Sequence, residues 1–598
     1  MSDARPQPID KTNVARILRE IAALLEIRGE NPFKARAYEN AARAIEGTTE
    51  EFGALVASGA YKEIAGIGPA LREKLEELAA TGRLEYYDAL RAELPATILE
   101  LTAIPGLGPK KIHSLHTKLG IASIEALEAA ARDGRLTTLP GFTAKTAAKI
   151  LEGIEFLRAN ASRRLLVEGL DEAARVVAAL GHVVALPGAT APAGRALPVV
   201  TSFAVAGSLR RFKETVKDVD MVGCSDEPEA VMTAFQSLGL AARVVNRGAT
   251  KSTIVLDSGM QVDLRLVAPE EFAYTLLHFT GSAEHNTAMR ARAKERALKL
   301  NEYGLWSGEE RIPAASEEEI FATLGLAPIA PELREAMGEI EDAEAGAIPR
   351  LVTASDLRGV LHCHSTWSDG RNTIAEMAEA ARDAGYEYIG MSDHSRTAAY
   401  AGGLTPERVR AQWDEIDALN ARLAPFRIFK GIESDILGDG ALDYDDELLA
   451  GFDFVVASVH SRMTMELEEM TARIVRAVEH PRTTILGHPT GRRLLTRDAY
   501  AVDMTRVIDA ALANHVVVEL NCNPERLDID WRVLRGALPR GLTTSINPDA
   551  HATAHFRFLE IGAGVARKAR TEARHVLNTR SASEIADYFA ERKRRAAR

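Results

Sequence analysis

The chain is 598 residues long, too long for one hydrophobic core, and its length predicts about three to five domains. With 46% hydrophobic and 26% charged residues it reads as an ordinary globular protein, which excludes fibrous and low-complexity classes. The net charge of −12, from 73 basic and 85 acidic residues, excludes a globally basic nucleic-acid binder, so any such contact must be made by local patches or helix N-termini.

No apolar run approaches the ~20 residues of a membrane span, and MSDARPQPIDKTN lacks the apolar core of an export signal. Only Cys224, Cys363 and Cys522 are present, with no CxxC. This excludes a disulfide framework and a cysteine-based zinc site, and a cytoplasmic location is expected.

Residues 10–160 predict helices almost throughout, as in NVARILREIAALLEI, where apolar residues recur at 3–4 spacing. One motif recurs three times: AGIGPALREKLEEL (65–78), PGLGPKKIHSLHTKL (105–119) and PGFTAKTAAKILEGI (140–154). Each pairs a glycine turn with an amphipathic helix, and in the first two a proline takes the first helical position, where its missing N–H costs nothing. Such a turn leaves backbone N–H groups free at a helix start, a natural seat for phosphate. Gly66, Gly68, Gly106, Gly108 and Gly141 are therefore the candidate DNA-binding glycines, supported by Lys110, Lys111, Lys145 and Lys149. The third copy has Thr143 in place of the second glycine. The competing reading is a set of tight helix–helix turns without a ligand; three copies with lysines outweigh it. The copies resemble helix-hairpin-helix motifs.

From 163 the chain changes to short strands: FAVAG (203–207), VDMVGC (219–224), STIVLDSG (252–259) and MQVDLRLV (260–267), with DSG as a hairpin turn. Helical stretches are predicted over 270–301, and acidic polar segments up to 350 predict a connection to a further domain. Within AGSLRRFKETVKDVDMVG, Asp218 and Asp220 are spaced i, i+2, so both carboxylates point to one face of a strand. Like charges so placed repel unless a divalent cation bridges them, and Asp263 can supply a third carboxylate. Three carboxylates holding two Mg²⁺ suit in-line attack on a nucleoside triphosphate. Gly207 lets the backbone approach a phosphate, Ser208 can bind it, and Arg211 would neutralise the departing pyrophosphate. An isolated DxD is usually a solvated turn, but this longer pattern favours a site.

From 359 onward seven apolar runs alternate with helical ones: GVLHCH, EYIGMSDH, FRIFKGIE, DFVVASVH, TTILGH, VVVELNCN and TTSINPDAH. They predict a parallel sheet closed as a distorted (β/α)₇ barrel, with chemistry at the C-terminal strand ends. The candidate metal ligands are His362, His364, Asp369, His394, Glu433, His460, His488, Asp549 and His551. Imidazole and carboxylate without thiolate suit Mn²⁺, Zn²⁺ or Fe²⁺. Nine ligands exceed what one ion takes, which predicts two or three ions able to activate water for phosphoester hydrolysis. Singly, each histidine would read as structural; nine ligands at strand ends do not. Cys363 is expected to pack on the opposite strand face, and His480, His515, His555 and His575 fall outside the pattern.

GSLRRFKETVKDVD together with HFTGSAEHN (278–286) resembles the palm and thumb of family X DNA polymerases, and the resemblance covers 10–350 up to NEYGLW. It implies Asp218, Asp220 and Asp263 as metal ligands, with Ser208 and Arg211 on the triphosphate. It places His278, Phe279 and Gly281 beside the sugar, and Asn286 and Arg290 near the minor groove. Lys74 matches the lysine of a deoxyribose-phosphate lyase, a role that needs a lowered amine pKa. Leu209 and Phe212 stand where bacterial members usually show Tyr and Gly, and Ala283 stands where a lysine is common. The C-terminal ligand set resembles the PHP (polymerase and histidinol phosphatase) domain, with Val360 where related chains often have Asp.

The implied organisation is a helical 8-kDa-like DNA-binding domain over 1–90, helix-hairpin-helix fingers over 91–160, a nucleotidyltransferase palm over 161–270 and a thumb over 271–335. A linker over 336–356 and a PHP phosphoesterase domain over 357–598 complete it. The implied function is gap-filling DNA synthesis in repair with 3′–5′ exonuclease activity, and the same resemblance extends the expectation to abasic-site endonuclease activity. Its cofactors would be Mg²⁺ in the palm and a Mn²⁺ or Zn²⁺ cluster in the barrel. Its partners would be gapped or nicked DNA and dNTPs, with no membrane, and the chain is expected to be a monomer. The rival readings are a PHP phosphatase of small phosphomonoesters with a degenerate polymerase half, and a non-catalytic DNA-end scaffold. The complete carboxylate and ligand sets argue against both.

Overall fold

The computed structural model describes residues 11–46, 52–63, 67–104, 106–186 and 198–596. The chain divides into two units, Met1–Ser162 and Arg163–Arg598. No helix of the described residues is long and apolar enough to cross a membrane.

The first unit is helical. Its longer helices are Lys11–Ile27, Pro32–Glu46, Pro69–Thr81, Pro109–Leu119 and Ala144–Asn160. Leu18, Ile21, Leu75, Leu78, Ile112, Leu115 and Ile154 bury their side chains in one apolar core, as the 3–4 spacing requires. Pro69 and Pro109 open their helices, and left-handed Gly82 and Gly120 end them.

The second unit begins with a five-stranded sheet: β1 (Ser202–Val205), β2 (Asp218–Cys224), β3 (Ala241–Arg247), β4 (Lys251–Leu256) and β5 (Gln261–Val267). Its spatial order is β1-β2-β5-β4-β3, with β2 and β5 parallel and the other pairs antiparallel. Val219, Met221, Val262 and Leu264 turn into the core beneath helices Leu166–Gly181 and Pro228–Gln236. The alternate residues Asp218, Asp220 and Asp263 therefore face away from those helices. Strand β3 escapes the sequence reading because it lies at the sheet edge and is mostly exposed, so AARVVNR carries no apolar alternation.

Helices Phe272–Thr280 and Ala283–Glu295 follow. The helical stretch predicted over 270–301 stops there. Lys299–Asn301 is instead β6 of a small antiparallel sheet with β7 (Gly304–Ser307) and β8 (Glu310–Ile312), which packs Leu305 against the helices. The linker expected over 336–356 also differs. Glu339–Glu344 is helical, with Glu339 and Ala343 buried. Arg535 donates to the Met337 carbonyl at 2.6 Å, and Arg570 pairs with Asp342 and donates to the Ala347 carbonyl. Its acidic composition predicts a connection between domains; in the fold its acids and carbonyls are partners for barrel arginines.

The barrel strands are β9 (Gly359–Cys363), β10 (Tyr388–Met391), β11 (Arg427–Asp435), β12 (Phe454–Ser458), β13 (Ile485–Leu486), β14 (Val517–Asn521) and β15 (Thr544–Asn547). They pair in parallel in sequence order, and a single bridge between Cys363 and Ala550 joins the first strand to the segment after the last. The result is a nearly closed seven-stranded barrel. The five-stranded sheet, helices Leu166–Gly181 and Pro228–Gln236 and the barrel share one continuous hydrophobic core, whereas helices Phe272–Thr280 and Ala283–Glu295 belong to a separate one.

Candidate metal centres and their surroundings

On the palm sheet, Asp220 and Asp263 are directly opposite each other in the β2–β5 ladder, and Asp218 lies two residues before Asp220 on the same face. Asp263 accepts hydrogen bonds from Thr253 Oγ1 and, at 2.8 Å, from Gln261 Nε2. Burial, and then the Asp218 and Asp263 carboxylates, push Asp220 up to about 7; burial and Asp263 raise Asp218 as well. Three mutually repelling oxygen donors on one face suit a hard divalent cation, which would relieve that repulsion.

Gly207 follows β1 with φ +63°, and a Cβ there would sit 2.1 Å from Asp220 Oδ2, so only glycine fits. Ser208 lies beside it, half-buried, in the short helix Gly207–Arg210. Arg211 is committed elsewhere than the sequence suggests: it donates to the Thr280 carbonyl and pairs with Glu335 at 3.2 Å. A Cβ on Gly281 (φ +69°) would meet its guanidinium at 3.0 Å. His278, Asn286 and Arg290 line one pocket with Tyr274 and Asn301, and Asn286 Nδ2 holds the His278 carbonyl at 2.7 Å. Phe279 lies under the Arg265 guanidinium, 4.5 Å from ring centre to Cζ.

At the C-terminal end of the barrel all nine expected ligands converge. Ligand atoms within 4.8 Å of one another form three groups among the described residues: His364, Asp369, His394 and His551; His362, His364 and Asp549; and His394, Glu433 and His460. His364 and His394 each belong to two groups. His488 Nε2 lies 3.0 Å from Glu433 Oε1. Glu433 is 1% exposed and faces His362, His394 and His460, which hold its carboxyl well below the usual range although burial alone would raise it. Burial would likewise lower His362, but Glu519, Asp549 and Glu433 raise it well above the usual value. His364 moves the other way, lowered by burial and by His551 and His394.

His362 Nε2, both ring nitrogens of His364 and Glu433 Oε2 are buried without a hydrogen-bond partner. Orphaned donor atoms of this kind converging at one point fit metal ions, whose bonds would replace the missing hydrogen bonds.

Simple alternation does not aim these ligands. His362, His488 and Asp549 have φ of +58°, +23° and +51°, and the β9–β10 register slips between Val360 and Cys363. Left-handed backbone at three non-glycine positions is strain held by the surrounding fold, as functional sites often show. Cys363 is fully buried in the core.

The sequence reading missed the residues behind the ligands. Glu519 accepts from His362 Nδ1 at 2.6 Å and from the His488 backbone N–H at 2.7 Å. Asp435 pairs with His460 Nδ1 at 2.5 Å, and Arg526 reaches Asp549 at 3.5 Å. Carboxylates that fix the second ring nitrogen set the histidine tautomer and orientation. The visible signal was a charged residue, Glu519, inside the otherwise apolar run VVVELN.

In the helical unit, Gly66 lies outside the described residues. Gly106 and Gly141 have φ of +78° and +84°, so the turn itself demands glycine. Gly68 and Gly108 have ordinary φ (−78° and −76°), and a Cβ on either would meet nothing within 4 Å. Among the described residues, nothing requires glycine there. At the third turn, Thr143 accepts from the Thr146 N–H at 3.2 Å, so its hydroxyl occupies the donor the other turns leave open. Lys74 donates to the Ala70 carbonyl at 3.2 Å and lies over the Tyr86 ring at 4.8 Å on an exposed helix face.

A carboxylate-bearing palm, a helical thumb and a histidine-rich barrel on one chain define a two-site protein of phosphate chemistry. Matches to family models run in the same order: a helix-hairpin-helix domain over 9–84, a SAM-like helix-hairpin-helix tandem over 98–155, the DNA polymerase beta thumb over 275–335 and the PHP domain over 361–521. The DNA polymerase/3′-5′ exonuclease PolX of Bacillus subtilis (strain 168) is 37% identical over 579 residues, covering 96% of this chain and 98% of its own. The repair DNA polymerase X of African swine fever virus (isolate Tick/Malawi/Lil 20-1/1983) is 29% identical over 24% of this chain and 86% of its own. A probable phosphatase of Thermoanaerobacter sp. (strain X514) is 27% identical over 39% of this chain and 95% of its own. The chain belongs to the family X DNA polymerases that carry a C-terminal PHP domain.

Proposed function

We propose that this chain is a repair DNA polymerase that fills short gaps at its palm and removes 3′-terminal nucleotides at its barrel. The observation that supports synthesis best is the in-register pair Asp220 and Asp263, with Asp218 alongside and Gly207 held against Asp220. These carboxylates would hold Mg²⁺, which supplies charge neutralisation for in-line attack on the α-phosphate of a dNTP. Ser208 then binds the triphosphate, and Arg211 does so once it leaves Glu335. Gly281, His278 and Phe279 flank the sugar, while Asn286 and Arg290 face the minor groove of gapped or nicked DNA. Gly68, Gly106, Gly108 and Gly141 offer their turns to DNA phosphates, and Gly66 is proposed for the same role.

Exonuclease action is supported by the three linked ligand groups around Glu433. They would hold two or three Mn²⁺ or Zn²⁺ ions, which activate water and clamp a phosphodiester. His362, His364, Asp369, His394, His460, His488, Asp549 and His551 complete that set, and Glu519 and Asp435 hold ring nitrogens of His362 and His460 in place. Abasic-site cleavage would use the same cluster, and a lyase role for Lys74 has weaker support, since its amine donates to the Ala70 carbonyl of its own helix. The palm, thumb, fingers and barrel act in one monomeric, cytoplasmic chain with the boundaries expected above, except that 336–356 is packed rather than a tether.

The test is extension of a one-nucleotide gap with dNTPs and Mg²⁺, and shortening of the same primer with Mn²⁺ and no dNTPs. A chain that hydrolyses small phosphomonoesters but does neither would overturn this reading.

A further inference from the structure

Four consecutive palm residues, 211–214, have partners on or beside the barrel. Phe212, at φ +52°, lays its ring where a Cβ on Gly564 would meet it at 2.1 Å. Gly564 belongs to the barrel helix Phe558–Lys568. Glu214 pairs with the barrel residue Arg492, which also pairs with Asp530 at 3.0 Å. Glu335 is shared by three cations: Arg211 at 3.2 Å, Lys213 at 3.4 Å and Lys568 at 2.5 Å. Lys568 is 0% exposed, donates also to the Arg211 carbonyl at 3.0 Å, and sits 4.9 Å from the Trp531 ring centre.

We propose that Lys568 of the barrel is a positioning residue for nucleotide addition in the palm. This rests on the polymerase reading above. Arg211 follows directly on the helix that carries Gly207 and Ser208, so whatever fixes it shapes the triphosphate seat. To reach a triphosphate, the Arg211 side chain must leave a half-buried carboxylate. Leaving a buried charge without its partner is strongly unfavourable. Lys568 and Lys213 stay on Glu335 when Arg211 departs, so the departure strands no charge. Without Lys568, Glu335 keeps a tighter hold on Arg211, and the loop loses the anchor on its backbone carbonyl. The barrel thus serves synthesis through one amine, apart from its metal ligands.

The experiment compares the full-length wild type, Lys568→Met and Lys568→Met/Glu335→Gln on one-nucleotide-gapped DNA. Lys568→Met should raise the dNTP KM about tenfold or more with kcat changed less, since small misplacements cost up to about a hundredfold. Primer shortening by the barrel should stay within about twofold, and Glu335→Gln should restore the KM by releasing Arg211. An unchanged KM in the folded variant overturns the proposal. So does a parallel fall of kcat, primer shortening and Tm that Glu335→Gln fails to restore, for that describes structural cement. If Lys568→Met does not fold, Glu335→Gln alone decides: a lowered dNTP KM supports the proposal, and an equal or raised one overturns it. A wild type that extends no gap overturns the polymerase reading itself, and the proposal with it.

Discussion

The palm and the barrel solve the same electrostatic problem in opposite ways. In the palm three carboxylates share one face, and burial first, then their mutual repulsion, raises Asp218 and Asp220. Their oxygens do not all come within 4.8 Å, whereas the barrel donors form three such groups. In the barrel nearly every carboxylate has an imidazole beside it, and a further layer of acids fixes those imidazoles. On the function proposed above, the barrel would keep its cations between turnovers, and the palm would receive cations together with an incoming triphosphate. A resident cluster needs a rigid cage, and a site loaded at every turnover needs an open one.

The comparison breaks most sharply if each site is emptied in turn. Asp218→Ala with Asp220→Ala should abolish gap filling, about a thousandfold or more, because the lost charge stabilisation is worth several kcal/mol. Primer shortening should persist, and a folded variant that loses both activities would show that the two sites are not independent. Conversely, His362→Ala with His364→Ala should release the barrel metal, measured by elemental analysis, and cut 3′–5′ degradation by orders of magnitude. Gap filling should continue. A metal-depleted, folded variant that still shortens primers at the wild-type rate would place the nuclease elsewhere.

A subtler break tests the cage. Glu519→Gln keeps the shape but removes the charge behind His362, and should weaken metal retention by about 10- to 100-fold. Equilibrium dialysis against a chelator reads this out, and unchanged retention would reduce Glu519 to packing. Among the described residues, the side-chain hydrogen bonds to the palm acids are those of Thr253 and Gln261 on Asp263.

What was legible in the sequence follows from how local each feature is. The i, i+2 spacing of Asp218 and Asp220 needed only strand alternation, and the seven apolar runs of the barrel carried their ligands at their ends. Asp263 was legible as a strand residue, but its place opposite Asp220 comes from a parallel pairing between strands far apart in sequence. Glu519 is hidden because its role depends on His362, 157 residues away. The 336–356 segment misled for the same reason, since acids that look solvated in sequence meet distant arginines in the fold. His362 reaches the site through a left-handed backbone, φ +58°, which no local sequence pattern reveals.

The two sites should also differ in how pH governs metal binding. Burial first, and then Asp218 and Asp263, raise Asp220 above its ordinary value to about 7. Its contribution to the stability of the metal-free fold is thus full below about pH 4 and is lost as pH rises through 7. A cation must displace that proton, so Mg²⁺ affinity of the palm should rise by about tenfold per pH unit from 5 towards 7. Calorimetry in buffers of different ionisation enthalpy should show about one proton released per binding event at pH 6. No proton release would mean that Asp220 is already ionised.

The smallest expected effect concerns the helix turns, and it separates a turn kept for its own backbone from one kept for a ligand. At Gly106 the positive φ makes any side chain costly to the fold, so loss of DNA binding there would be ambiguous. Gly108 has φ −76° and open space around its missing Cβ. Gly108→Ala should therefore leave the first unit folded, or stabilise it by about 0.4–1 kcal/mol through the unfolded chain. If a DNA phosphate seats against that turn, the methyl group would hold it off the backbone N–H groups at the start of Pro109–Leu119. The loss of roughly one hydrogen bond, about 1 kcal/mol, should raise the Kd for gapped duplex by about fivefold. The change should be smaller for Thr143→Gly, where a side chain already occupies the corresponding N–H. Fluorescence anisotropy at fixed moderate salt measures both. Equal Kd for wild type and Gly108→Ala, with Tm unchanged or higher, would make the second glycine a feature of the turn alone and move the DNA contact to the neighbouring lysines.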